Sequence, residues 1–351
     1  MTILITGGAG FIGSNFIHRW LSKNEENIVN VDLLTYAGNI NSLKDISNDK
    51  RYVFEKVDIA EKSEIYKLIN KYEPRAVINF AAESHVDRSI HSPEAFIRTN
   101  INGVFSLLEA SKDYFFKLNS NKKNDFKIIQ VSTDEVYGSL KEEEEKFTEQ
   151  NQYLPNSPYA ASKAAGDHLA RSYCKTYGLP VCITNCSNNY GPYQFPEKLI
   201  PLTIHNALEN KQIPIYGDGR QIRDWLFVDD HCDAICEVLA KGTVGETYNI
   251  GGDNEITNID IVNIICTKLD ELSPMKDNKY NSLISYVKDR PGHDRRYAIN
   301  SAKIKNELNW KPHIKFREGI DITIQWYLDN QAWVKNITTG DYKKWIDLNY
   351  K

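Results

Sequence analysis

The chain has 351 residues, a formal net charge of -4 and ordinary shares of hydrophobic (41%) and charged (26%) residues. This length suits two domains, or one large dinucleotide-binding domain with a substrate lobe, and the slight acidity argues against general affinity for nucleic acid. The amino terminus lacks the basic start and long apolar core of a signal peptide, and no apolar run approaches the roughly 20 residues that cross a bilayer, so we expect a cytoplasmic protein.

Apolar strands and amphipathic helices alternate through the first half of the chain. Strands are predicted at 2–6, 28–32, 52–58, 76–82, 126–133 and 180–185, and helices at 11–23, 61–72, 96–117 and 159–177. Parallel strands need right-handed crossover helices that cover both faces of their sheet. The alternation therefore predicts an α/β protein with a Rossmann-type, doubly wound parallel sheet.

The second half of the chain changes character after residue 188, where the pattern becomes irregular and rich in Pro and Gly. A further helix, predicted at 229–240, is expected to return to the first domain. We expect a Rossmann domain of residues 1–189, joined by about 229–250. A smaller C-terminal substrate-binding lobe would comprise 190–228 and 251–351.

A glycine turn, Gly7 to Gly13, joins the first strand to the first helix and fits either GxGxxG or GxxGxxG. Glycine lets the backbone approach a pyrophosphate closely, and the free N–H groups of the helix N-terminus then bind that anion. Asp32 ends the second strand, where a carboxylate binds the ribose hydroxyls of NAD and repels the extra phosphate of NADP. The turn predicts NAD, although a turn that only packs a helix on a sheet is the alternative.

Two pairs of reactive side chains flank the end of the fifth strand. Tyr159 and Lys163 lie four residues apart on a predicted helix, so both project from one face. A nearby ammonium favours the phenolate and lowers the pKa of a tyrosine, which makes it a base. Asp134 and Glu135, after Thr133, can divide acid and base roles if their surroundings separate their pKa values. A surface Tyr–Lys pair and an exposed acidic loop are the alternatives.

Longer segments of the chain resemble a known family. The glycine turn and the spacing of Tyr159 and Lys163 resemble the extended short-chain dehydrogenase/reductase superfamily. Within it, dTDP-glucose 4,6-dehydratases are similar at 81–89 (AAESHVDRS), 132–138 (STDEVYG), 185–193 (NCSNNYGPY), 195–201 (FPEKLIP), 221–225 (QIRDW) and 289–297 (DRPGHDRRY). The resemblance reaches the tail around Trp333 and Trp345 and shows no departure at a catalytic position.

The resemblance implies a lyase that oxidises a sugar at C4, eliminates water across C5–C6 and returns hydride to C6. The product would be dTDP-4-keto-6-deoxyglucose, for deoxysugar synthesis such as that of rhamnose. Tyr159 would take the proton of the 4-hydroxyl, whose oxygen Thr133 would hold. Glu135 would take the C5 proton, and Asp134 would protonate the departing C6 hydroxyl. Lys163 would support the tyrosine and hold the nicotinamide ribose.

The resemblance also indicates which residues contact NAD and the nucleotide sugar. The expected cofactor contacts are Gly7, Gly10, Phe11, Ile12, Gly13, Asp32, Leu33, Thr35, Asp58, Ile59, Ala81, Thr99, Tyr159, Lys163 and Asn189. The expected substrate contacts are Ser84, His85, Asn188, Glu197, Lys198, Tyr216, Arg223, Asn258, Arg290, His293 and Tyr297. Arg223 and Arg290 suit a diphosphate, because a guanidinium can bind phosphate oxygens through two parallel hydrogen bonds.

No metal and no macromolecular partner other than a second copy are expected. The six cysteines form no CxxC and the eight histidines form no HxH or HExxH spacing. The helices predicted at 96–117 and 159–177 are expected to pair with their copies in a homodimer, mostly on the strength of the resemblance. Nothing indicates a nucleic-acid or membrane partner.

Three other functions stay open. A nucleotide-sugar 4-epimerase needs Tyr159 and Lys163 but has no use for Asp134 and Glu135. A 4,6-dehydratase for another nucleotide sugar would share all four residues. A catalytically silent NAD-binding regulator would need the glycine turn without an intact acid–base set.

Overall fold

The computed structural model describes residues 1–338, so Trp345 and the end of the expected lobe lie outside the described residues. Its strands are β1 Thr2–Thr6, β2 Asn27–Val31, β3 Tyr52–Glu55, β4 Ala76–Asn79, β5 Lys127–Thr133, β6 Val181–Cys186, β7 Asn188–Tyr190, β8 Ile213–Tyr216, β9 Ile222–Phe227, β10 Thr247–Ile250, β11 Glu255–Thr257 and β12 Ile284–Val287. Its α-helices are α1 Phe11–Lys23, α2 Lys62–Tyr72, α3 Val86–His91, α4 Glu94–Ile97, α5 Val104–Lys117, α6 Ser120–Asp125, α7 Pro158–Tyr177, α8 Leu199–Leu208, α9 Val228–Lys241, α10 Asn258–Leu272, α11 Ala302–Leu308, α12 Phe316–Asp329 and α13 Gln331–Ile337. A π-helical turn, Arg98–Gly103, joins α4 to α5, and 3₁₀ turns span Ile40–Ile46, Asp134–Tyr137 and Tyr280–Leu283.

The central sheet has seven strands in the order β10-β6-β5-β4-β1-β2-β3, and every neighbouring pair is parallel. The chain steps outward from β1 through β2 to β3, then returns to place β4 on the other side of β1. This confirms the Rossmann-type α/β prediction. In such sheets ligands bind outside the carboxyl ends of the strands, at the point where the order reverses.

Each face of the central sheet has its own apolar core, because neighbouring residues of a strand point to opposite faces. Ile3 and Ile5 of β1 pack with Phe16 of α1 and Ile235 of α9 on one face. Leu4 packs with residues of α2, α5 and α7 on the other face. All three β1 side chains are 0% exposed, so this strand is covered on both faces.

A smaller lobe packs against the carboxyl end of the sheet. It contains a three-stranded sheet, β11-β9-β7, and the parallel pair β12-β8. A separate apolar cluster, including Tyr190, Ile204, Ile265 and Ile324, holds these strands to α8, α10 and α12. The lobe therefore has a core of its own beside the cavity described below.

Several elements differ from the predicted ones. A seventh strand, β10, joins β6 in the central sheet; four residues (TYNI) give too short a pattern to identify from sequence. The helix predicted at 96–117 is divided by the π-helical turn, and the polar stretch 117–127 contains α6, which has no buried residue. No helix within residues 1–338 is long and apolar enough to span a membrane.

Candidate active site

A cavity of about 400 Å³ opens at the carboxyl ends of the central strands and extends to the smaller lobe. Every catalytic, cofactor and substrate residue expected from the sequence lines this cavity. The fold thus brings residues that are distant in sequence, from the glycine turn to the segment 289–297, to one cavity. Among residues 1–338, no group of three or more His, Cys, Asp or Glu side chains could hold a metal ion.

The glycine turn is so tight that a side chain is excluded at Gly7 and at Gly13. Gly7 has φ +69°, and a Cβ there would lie 2.5 Å from the backbone nitrogen of Ala81. A Cβ on Gly13 would lie 2.3 Å from the carbonyl oxygen of Gly7 and 2.7 Å from the Cα of Gly8. Helix α1 starts after Gly10 without a side-chain cap, so the first-turn N–H groups are available at the cavity. These features fit a bound pyrophosphate.

Gly13→Ala is expected to lower the free energy of unfolding by about 1–3 kcal/mol, because rigid backbone atoms surround the added methyl group. Gly10→Ala is the matched control, since its Cβ would meet only the Gly7 oxygen, at 3.2 Å. That variant should lose less stability and still weaken NAD binding. Thermal unfolding and titration with NAD measure the two effects, and equal stability losses would contradict the steric account.

Asp32 fastens the end of β2 to the glycine turn. Its Oδ2 accepts a hydrogen bond from the Ala9 N–H at 2.9 Å, and its Oδ1 accepts one from the Leu34 N–H at 2.7 Å. Burial raises the pKa of this carboxyl, and the two backbone donors oppose the rise. Asp58 also lines the cavity, and its Oδ2 pairs with the exposed Arg98 at 2.8 Å.

Helix α7 places Tyr159 and Lys163 inside the cavity. The helix starts where the Ser157 hydroxyl accepts a hydrogen bond from the Ala160 N–H at 3.1 Å, which fixes Tyr159 in its first turn. Tyr159 and Lys163 are 8% and 5% exposed. Lys163 Nζ donates to the Val131 carbonyl at 2.7 Å, so the ammonium is tied to β5.

The pKa of Tyr159 is raised well above its ordinary value, first by burial and then by the charge of Glu135. A hydrogen bond with Thr133 opposes this rise. The sequence predicted that the Lys163 ammonium would lower the pKa of Tyr159. That direction is wrong, because the surrounding protein groups raise this pKa. Removal from water outweighs Lys163, whose own pKa burial lowers.

The turn after β5 gives the two acids different surroundings. Thr133 Oγ1 accepts a hydrogen bond from the Glu135 N–H at 3.3 Å and caps the 3₁₀ turn Asp134–Tyr137. Asp134 is 2% exposed, and its Oδ2 has no hydrogen-bond partner among the described residues. Glu135 is only partly buried by surface area.

These surroundings separate the acids electrostatically. The pKa of Asp134 is raised well above its usual range, by burial first and by the charge of Glu135 second. Burial also raises the pKa of Glu135, but Lys198, Arg290 and Arg223 pull it back. One cation, Arg223, opposes the rise for Asp134, whereas three oppose it for Glu135, and a difference of this kind suits a pair in which one acid donates a proton and the other accepts one.

Two guanidinium groups lie at the substrate end of the cavity. Arg223 is 5% exposed, stacks 4.3 Å from the centroid of the Tyr297 ring and donates Nη2 to the Asp294 carbonyl at 3.0 Å. Arg290 donates Nη1 to Asp87 Oδ1 at 2.9 Å, and its buried Nε has no partner within residues 1–338. Two cations in a chain of net charge -4 favour an anionic ligand here.

Glu197 belongs to a polar cluster that joins both sides of the cavity. Its carboxylate accepts from the Tyr36 hydroxyl at 3.0 Å and from Arg88 Nε at 3.2 Å. The neighbouring Lys198 donates Nζ to the Ser84 carbonyl at 2.8 Å. The loop after β2 and the loop before α8 thus meet through side chains.

Four of these partners were missed in the sequence: Tyr36, Asp87, Arg88 and Asp294. Asp87 and Arg88 lie within the segment 81–89, and Asp294 follows His293, so their position beside expected contacts was the available signal. Tyr36 carried no such signal, because only the folded loop brings it to Glu197.

Two further residues that were expected to contact ligands, Asn189 and His293, form side-chain hydrogen bonds within the protein. Asn189 Oδ1 bonds to His231 Nδ1 at 2.9 Å, and its Nδ2 donates to the Ser187 carbonyl at 2.9 Å. His293 Nδ1 lies 2.6 Å from Asp289 Oδ1, and burial lowers the pKa of this histidine to about 4. Both side chains are fixed by protein contacts before any ligand is considered.

Comparison with known proteins identifies relatives over nearly the whole chain. The family model described as GDP-mannose 4,6 dehydratase matches residues 4–323. The dTDP-glucose 4,6-dehydratase of Salmonella typhimurium is 55% identical, over 100% of this chain and 99% of the relative.

Solved structures agree with that match. A dTDP-glucose 4,6-dehydratase from Bacillus anthracis, in complex with NAD, is 48% identical with a TM-score of 0.84, over 96% of this chain and 99% of the other. One from Streptomyces venezuelae, with NAD and a second ligand bound, is 42% identical with a TM-score of 0.87, over 96% and 100%. The resemblance read from the sequence is confirmed.

Proposed function

Because the chain belongs to the GDP-mannose 4,6 dehydratase family, we propose that it converts dTDP-glucose to dTDP-4-keto-6-deoxyglucose. The family description names another sugar, but the full-length relatives at about 55% identity are dTDP-glucose 4,6-dehydratases. The observation that carries the proposal is the differently buried pair Asp134 and Glu135 in one cavity with Tyr159 and Lys163.

NAD fits the cavity's dinucleotide end. Backbone atoms crowd the turn at Gly7 and Gly13, and the turn presents the start of α1, which suits a pyrophosphate. Asp32 would hold ribose hydroxyls, and Lys163 would hold the nicotinamide ribose. NAD bound there would supply the hydride acceptor for C4 of the sugar and the hydride donor for C6.

Oxidation requires loss of the proton of the 4-hydroxyl. Tyr159 takes this proton, and the Thr133 hydroxyl holds the substrate oxygen and steadies the phenol. Because protein burial disfavours the phenolate, the tyrosine needs positive charge close by to act as a base near neutral pH. Lys163 is the nearby ammonium of helix α7 that supplies it.

Elimination uses the two acids. The C4 ketone acidifies the C5 proton, which Glu135 removes while Asp134 protonates the departing C6 hydroxyl, so that water leaves. Glu135 then returns a proton to C5. Burial raises the pKa of Asp134, which favours its role as proton donor, and the cations near Glu135 oppose the rise of its pKa, which favours its role as base.

The smaller lobe, residues 190–228 and 251–351, would bind the nucleotide end of the sugar substrate. Residues 1–189 and about 229–250 would bind NAD. Arg223 and Arg290 bind the diphosphate, since the first is buried and the second half-buried at the cavity and each is oriented by a protein acceptor. Lys198 and Asn188 add polar contacts, and Glu197 meets a sugar hydroxyl. The product supplies deoxysugar synthesis.

A homodimer and a cytoplasmic location complete the proposal. Ile97, Phe105 and Tyr177 are 47%, 39% and 43% exposed on the α4–α5 and α7 side, which suits helix pairing between two copies. All six cysteines are free, which suits a reducing compartment. Sedimentation tests the dimer directly, and a monomer at micromolar concentration would contradict it.

Product analysis tests the activity. Purified protein given dTDP-glucose should form the 4-keto-6-deoxy sugar without net release of NADH, and UDP-glucose and GDP-mannose should react more slowly. Formation of dTDP-galactose alone would favour an epimerase. NAD binding without turnover of any of the three sugars would favour a silent regulator.

A further inference from the structure

A buried carboxyl group outside the expected catalytic set is carried by the same helix as Lys163. Asp167 follows it by four residues on α7, so the two side chains share one face of the helix. Asp167 is 1% exposed, which makes it one of the most deeply buried acids of the described chain. It does not line the cavity, so it touches neither expected ligand.

Asp167 is held in place from a second element. The Ser132 hydroxyl donates to Asp167 Oδ2 at 2.5 Å, and Ser132 immediately precedes Thr133 at the end of β5. Lys163 is tied to the same strand through the Val131 carbonyl at 2.7 Å. Lys163 and Asp167 are therefore both hydrogen-bonded to β5, the strand that leads into the turn with Asp134 and Glu135.

Lys163 requires such a partner. A lysine that is 5% exposed is driven toward its neutral form by removal from water, and the charge of Asp167 is the largest influence that opposes this. A neutral amine could neither favour the phenolate of Tyr159 nor hold a ribose hydroxyl as a charged donor. Cys186 does not replace this charge, because burial raises the pKa of its thiol to about 12 and leaves it neutral at pH 7–9.

From this geometry we infer that Asp167 is the positioning residue that keeps Lys163 charged and directed at the cavity, with Ser132 fixing the carboxylate. The inference rests on the proposed function, because it explains how Lys163 keeps the charge that the proposed reaction requires. Asp167 acts only through Lys163.

The buried location of Asp167 gives the test a pH signature. Burial raises its pKa to about 7, while Lys163, Ser132 and Tyr153 oppose the rise. The groups facing it are Lys163 on its own helix, Ser132 on β5 and the phenols of Tyr153 and Tyr137. Below about pH 7 Asp167 is protonated and contributes no charge, whereas above that pH it is ionised and supports Lys163.

The kcat ratio of unsubstituted protein to Asp167→Asn should therefore depend on pH. We expect a ratio within a few-fold of one below pH 7, rising to about ten-fold or more at pH 8–9, where only the unsubstituted protein has the Asp167 charge that favours the ammonium of Lys163. The dissociation constant for NAD, measured by calorimetry, should follow the same pH dependence. Asp167→Glu, which keeps the charge, should restore part of both effects.

Asp230→Asn is the matched control, because Asp230 is similarly buried, at 2% exposed, but its hydrogen-bond donors among residues 1–338 are the N–H groups of His313 and Ile314. Its kcat ratio should not vary with pH. A ratio for Asp167→Asn that is equal at all pH values, or no deficit at all, would overturn the inference. Absence of dehydration by the unsubstituted protein would instead overturn the proposed function.

Ser132→Ala supplies a second test if Asp167→Asn does not fold. Loss of the hydroxyl donor should move the pKa of Asp167 upward, so the deficit in kcat should be largest just above pH 7 and shrink at higher pH. A deficit that does not change with pH in this variant would equally contradict the role of Asp167.

Discussion

Replacing Tyr159 by phenylalanine is expected to stop cofactor reduction and to lower turnover by about 10²–10⁴-fold, the contribution usual for a positioned acid–base group. The change removes only the phenolic oxygen, and the ring keeps its edge contact with Phe96 at 6.3 Å. The fold should therefore survive, so the loss reports chemistry. Absorbance of NADH in a single turnover measures the effect.

Tyr177→Phe is the control for this experiment, since Tyr177 lies at the end of the same helix and is 43% exposed. It should retain normal turnover. Thermal unfolding of both variants shows whether either is destabilised. Normal NADH formation by the Tyr159 variant would remove this residue from the role of base.

Glu135→Gln is expected to separate the two halves of the reaction. Cofactor reduction should persist because Tyr159 is intact, while release of water should fall by about 10²–10⁴-fold without a base for the C5 proton. NADH should accumulate on the enzyme with a 4-keto sugar that retains its C6 hydroxyl. Rapid quenching and mass spectrometry would identify that sugar.

Two comparisons sharpen this result. Glu143→Gln removes a charge from an exposed loop and should leave turnover unchanged. Asp134→Asn should also slow water release, because the amide cannot protonate the departing C6 hydroxyl. Full turnover by Glu135→Gln would exclude Glu135 as the base.

Local signals were sufficient to predict much of the fold. The sequence predicted the observed bounds of the strand Thr2–Thr6 and the helix Phe11–Lys23, and the glycine turn between them. Apolar periodicity and the requirement for glycine in a tight turn depend on residues that are close together in sequence. Strand β10 was missed because its identity depends on pairing with β6 rather than on its own four residues.

The chemistry of the site was less accessible from sequence. The different pKa shifts of Asp134 and Glu135 depend partly on Lys198 and Arg290, which two distant segments bring to the cavity that Glu135 lines. Burial reverses the pKa shift expected for Tyr159, and burial is a property of the assembled fold. The resemblance identified the residues, whereas their electrostatic surroundings required coordinates.

The path of one hydrogen atom tests the central claim, that a single nicotinamide and the side chains around it serve both C4 and C6 of one hexose. dTDP-glucose carrying deuterium at C4 should yield a 4-keto-6-deoxy product with deuterium at C6. Tyr159, Glu135 and Asp134 share the cavity in which this transfer would occur. Deuterium that remained at C4, or that was lost to solvent, would contradict the account.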